Sequence, residues 1–76
     1  MINMELTFYG LKAKPAFGKN FSWFLCEVMG EDRWQSEDLW QIRLIRSMEI
    51  AEKHQKIRQK EMPKSIISVI EIKLTL

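Results

Sequence analysis

Cysteine, histidine, proline and glycine are all scarce in this chain, and each scarcity closes off a class of protein. Cys26 is the only cysteine among 76 residues, so no disulfide framework can staple the fold. One cysteine and one histidine, His54, fall short of the ligand set of a structural zinc site. Gly10, Gly18 and Gly30 stand alone and build no phosphate-binding loop. Charge of one sign is lacking too. The balance is 12 basic against 10 acidic residues, a net +2, which is too mild to argue for nucleic acid by itself. The most apolar segment, residues 21–29 (FSWFLCEVM), is too short to span a bilayer and contains Glu27. The first residues include Glu5 and lack the layout of a secretory leader. A reducing cytoplasm is the expected setting.

What is present is apolar bulk: 46% of the residues are hydrophobic and three are tryptophan. They point to one small α+β domain over residues 1–76. A chain of this length buries a modest fraction of its surface and is marginal without help. With disulfides and structural metal excluded, oligomerisation is the remaining source of stability, and a homodimer is expected.

The longest element expected is a helix over residues 36–62. Ser36 suits an N-cap, Glu37 and Asp38 follow where the helix dipole favours negative charge, and Pro63 ends the element. A period of 3.6 sorts Leu39, Trp40, Leu44, Met48, Ile50, Ala51, His54 and Ile57 into one broad half, the candidate core face. Ile42 and Ile45 do not fit. They fall among the polar residues, one turn apart, where they either widen the buried face over the first half of the helix or form a small exposed apolar patch fit for an interface.

Three strands flank this helix. Ile2, Met4, Leu6 and Phe8 alternate with polar partners, the period of a half-buried strand. Residues 11–20 (LKAKPAFGKN) read as a loop, punctuated by Pro15 and Gly18. Residues 21–29 read as a second strand, apolar on both faces, with Phe21, Trp23 and Leu25 on one side and Phe24, Cys26 and Val28 on the other. Either it is sheltered on both sides or one set of side chains meets another protein. Residues 30–35 (GEDRWQ) read as a turn. Residues 65–76 form a last strand, with Ile66, Ser68, Ile70, Ile72, Leu74 and Leu76 sharing one face. The fold expected is β-β-α-β, a three-stranded sheet with one long helix packed on one face. The first strand is placed in the middle, and the helix delivers the last strand parallel to the second.

The chemistry-bearing residues are few. Cys26 and His54 are the single available nucleophile and base, and plain core packing explains them as well. Glu31, Asp32, Glu37 and Asp38 cluster without the spacing of a calcium loop. No catalytic constellation, metal site or cofactor motif is apparent, so an enzyme is not expected. Two basic groups remain, Lys12, Lys14 and Lys19 in the loop and Lys53, Lys56, Arg58, Lys60 and Lys64 toward the helix end. Together with exposed aromatic rings they could make a nucleic-acid platform.

The first strand MELTFYG, the second FSWFLCEV, the helix opening SEDLW and the closing strand IISVIEIKL together resemble small phage- or mobile-element-encoded β-β-α-β proteins. Several of those bind and inhibit host polymerases, nucleases and defence complexes. The resemblance implies a non-enzymatic protein-binding module, an inhibitor or adaptor that occupies a partner's surface. Phe21, Trp23, Leu25, Ile42 and Ile45 are the expected partner-binding residues. A nucleic-acid-binding protein that uses the two basic groups is the alternative.

Overall fold

The alternation at the start of the chain does form a strand, and it runs further than its pattern suggests. In the computed structural model the described residues are 4–17, 22–35 and 42–75. Strand β1 covers Glu5–Pro15, so half of the expected loop is strand, while residues 18–20 lie outside the described set. The apolar residues change phase at Gly10: Leu6 and Phe8 share one side of β1, and the buried Leu11 and Ala13 share the other. That change of phase breaks the simple period of two and explains why the second half does not read as strand.

Strand β2 is Trp23–Val28, and a turn at Met29 and Gly30, both at positive φ, leads into β3, Glu31–Gln35. The stretch expected to be a turn is therefore an edge strand. Its charges are the reason it escapes the apolar pattern, and charged side chains on a short strand are how exposed sheet edges are protected. Helix α1 covers Met48–Glu61, and β4 covers Ser65–Thr75. The fold is α+β with one helix and a four-stranded antiparallel sheet in the order β3-β2-β1-β4. The sheet thus has one strand more than expected. β1 lies between β2 and β4, as expected, and β4 runs antiparallel to β1 along eleven paired positions, from Glu5 opposite Thr75 to Pro15 opposite Ser65.

The helix is much shorter than the periodicity implies. Ser47, not Ser36, is its N-cap and accepts from the Ile50 N–H. Residues 36–41 lie outside the described set, and residues 42–47 are not helical. Ile42 and Ile45 are drawn into the sheet instead. β1 and β2 pair at only two positions, Lys12 with Phe24 and Ala13 with Trp23. Beyond them, residues 42–45 stand between the two strands. Ile42 bridges to Cys26, and the Arg43 N–H donates to the Leu25 carbonyl at 2.9 Å. Tyr9 and Ile45 exchange two bonds of 2.7 and 2.8 Å. Gly10 makes this wedge possible: a Cβ there would meet Ile72 Cδ1 at 3.1 Å and Ile42 Cγ2 at 3.2 Å.

α1 packs on the sheet through small and polar side chains. Ala51 is its one buried residue, and Ile50 and Ile57, expected on the core face, are about half exposed, as are Met48 and Leu44. The sheet face on that side contributes the buried Leu11, Ala13, Leu25 and Ile67 to the core. Hydrogen bonds supply the rest: Gln55 Nε2 donates to the Ile67 carbonyl, and Gln59 accepts from the Ile67 N–H while donating to the Met62 and Ser65 carbonyls.

Candidate protein-interaction surface

Strand pairing assigns every described strand residue to one of two faces. Lys12 opposite Phe24 and Ser68 ties the even positions of β1, β2 and β4 together, and Ala13 opposite Trp23 and Ile67 ties the odd ones. The odd face carries the helix. Asp32 of β3 lies on it beside Glu27, and its carboxylate is held between Arg58 of α1 and Arg43 of the wedge, each at 2.9 Å. This pair of contacts links β3, the wedge and the helix. All three side chains keep some solvent access, so screening limits each pair to about 1 kcal/mol at most.

The even face carries Leu6, Phe8, Phe24, Val28, Ile66, Ile70, Ile72 and Leu74. Among the described residues no element lies over it. Ile66 is 44% and Leu74 39% exposed, and the others are half-buried. The Arg46 guanidinium stands 5.9 Å from the Phe8 ring centroid, a cation–π distance that keeps one ring partly covered. Met4, just before β1, adds another exposed apolar side chain. Lys12, Lys14 and Ser68 divide this face, setting Ile66 and Phe24 apart from the cluster of Leu6, Phe8, Ile70, Ile72 and Leu74; exposed apolar clusters of that kind mark interaction sites.

The residues expected at the interface fare differently. Leu25 and Ile45 are 1% and 7% exposed, so both are core residues, which corrects the expectation that they contact a partner. Ile42 is half-buried against Gly10 and Cys26, and Trp23 is half-buried on the odd face. Phe21 lies outside the described residues. Of the two readings of the doubly apolar β2, shelter on both sides holds at its centre, because Leu25 and Cys26 are both buried on opposite faces. Sequence reasoning missed the even face of β1 and β4 as a surface, because the alternation shows two faces but not which one the helix covers.

The basic residues do not converge. Lys12 and Lys14 lie on the even face, Lys53, Lys56, Arg58 and Lys60 lie on the helix across the sheet, and Lys19 is outside the described residues. Arg58 is committed to Asp32 and Glu61, and Lys53 approaches Glu49 at 3.9 Å. Cys26 and His54 also sit on opposite sides of the sheet, with Cys26 fully buried and its thiol donating to the Phe24 carbonyl. Among the described residues no three His, Cys, Asp or Glu side chains gather where they could hold a metal ion. No described helix is long and apolar enough to cross a membrane.

These features define a small α+β domain with exposed apolar side chains on one face of its sheet. No family model matches the chain, and no curated protein or solved structure gives a significant match.

Proposed function

We propose that this chain is a non-enzymatic protein-binding module, an inhibitor or adaptor that acts by covering a partner protein's surface with the even face of its sheet. The observation that carries this reading is the apolar face formed by Leu6, Phe8, Ile66, Ile70, Ile72 and Leu74, uncovered among the described residues. Large apolar anchors at the centre of such a face dominate interface energies. The separation of the basic side chains onto two sides of the sheet supports this reading over nucleic-acid binding. A cytoplasmic setting, where a lone thiol stays reduced, belongs to the same proposal.

The test begins with capture of a partner and its repurification, followed by calorimetry against the wild-type chain and an Ile66→Asp/Leu74→Asp variant. Both positions are exposed, so the variant should fold. The wild type should bind with a negative heat-capacity change, the mark of apolar burial, and the variant should lose at least about tenfold in affinity. Equal binding by the folded variant would remove this face from the site.

A further inference from the structure

The hydrogen-bonding direction of β4 can be read from two independent contacts. The Ile67 N–H and C=O both go to helix glutamines rather than to Ala13 opposite. Four residues on, Tyr9 spends both of its backbone groups on Ile45 rather than on Glu71 opposite. Antiparallel ladders alternate between pairs that exchange both bonds and pairs that exchange none. Ser65, Ile67, Val69, Glu71, Lys73 and Thr75 therefore point their backbone groups away from β1, toward the sheet edge. Gln55 and Gln59 cover Ser65 and Ile67. From Val69 to Thr75 no described residue supplies a partner, and the open stretch is centred on Ile72.

We propose that this open edge pairs with the same edge of a second copy, antiparallel, about a two-fold axis through Ile72. Charge selects the register. An axis at Glu71 would set Glu71 against Glu71, and an axis at Lys73 would set Lys73 against Lys73. An axis at Ile70 would need Ile67, which the glutamines occupy. The axis at Ile72 sets Glu71 against Lys73 of the second copy and Lys73 against its Glu71, so the self-complementary contact carries two opposite-charge pairs. On the even face it sets Ile72 against Ile72 and Ile70 against Leu74, both apolar. The product is one continuous sheet whose uncovered apolar face is doubled. This inference stands apart from the protein-binding reading: the edge could pair if no foreign partner existed, and partner capture could succeed with a monomer.

Sedimentation of the wild type, Glu71→Pro, Glu71→Lys and Lys73→Glu chains tests it. Proline at Glu71 deletes an outward N–H and no bond to β1, so the fold should survive while the dimer is lost. Each charge variant alone should raise the dimer dissociation constant about tenfold. Mixing the two charge variants should restore dimerisation, because the mixed pair again sets lysine against glutamate at both sites. A wild type that stays monomeric at its highest soluble concentration would overturn the proposal. So would a dimer that persists in folded Glu71→Pro, which would place the contact on the apolar face, or a mixture no tighter than its components. If Glu71→Pro fails to fold, the charge variants and their mixture decide.

Discussion

β3 closes one side of the sheet with five residues, of which Glu31, Asp32 and Arg33 are charged, and Asp32 is clasped by two arginines from elsewhere in the fold. β4 closes the other side with eleven residues, and its protection is two glutamines at one end. Both are edges, yet only the first follows the usual defence of being short and charged. β4 is rich in β-branched residues, with Ile66, Ile67, Val69, Ile70, Ile72 and Thr75, and Glu71 and Lys73 are its only charges. The difference shows that side-chain amides from a helix blunt an edge only locally, at Ser65 and Ile67, and leave the remainder open.

The largest expected effect sets the two sides of β4 against each other. Ile72 faces Phe8, one position from the outward Glu71, so its N–H is directed at β1. Ile72→Pro removes a ladder donor and leaves the Phe8 carbonyl without its partner, which should cost about 2 to 3 kcal/mol, a large share of the stability of a marginal domain, whereas Glu71→Pro should leave the thermal melt near that of the wild type. Equal melting temperatures for the two would refute the assigned bond directions. A middle-sized effect belongs to the guarded end. Gln59→Leu strands the Ser65 carbonyl and the Ile67 N–H and should lower the urea midpoint by about 1 to 2 kcal/mol of stability. An unchanged midpoint would mean that the glutamines are incidental.

The smallest effect concerns Lys73. Glu5 and Glu71 beside it hold its pKa above the ordinary lysine value of 10.5, chiefly through charge attraction. A raised pKa in the folded state means that the contribution is complete below 10.5 and is lost as pH climbs through the higher folded value. Stability should therefore be flat in this respect through neutral pH, and Lys73→Met should lower it slightly and evenly there while removing the slope seen above pH 10.5. Urea titrations across that range check it.

The strands were partly legible because a period of two survives wherever one face is consistently apolar, as in β4. β3 was hidden by its charges, and the second half of β1 by the phase change at Gly10. The helix expectation fails at residues 42–47 because their composition suits a helix and takes no account of what the sheet needs. The misfit of Ile42 and Ile45 on the helical wheel was the available signal. Side chains that fit no helical face belonged to a segment hydrogen-bonded between two strands. The apolar even face was visible as an alternation, but which face the helix covers depends on close approach at Ala51 and on amide bonds from Gln55 and Gln59. A hydrophobic period does not encode those.

The pairing of β1 with β4 also has a consequence in time. The longest ladder in the molecule joins the first strand to the last, with Glu5 opposite Thr75, whereas β2 and β3 meet across a turn of two residues. The β2–β3 hairpin can close as soon as residues 23–35 are made, but β1 keeps an unpaired edge until residues 65–75 follow it. The ladder that holds the sheet together is therefore the last to form, and the unpaired β1 is the exposed surface in the interval.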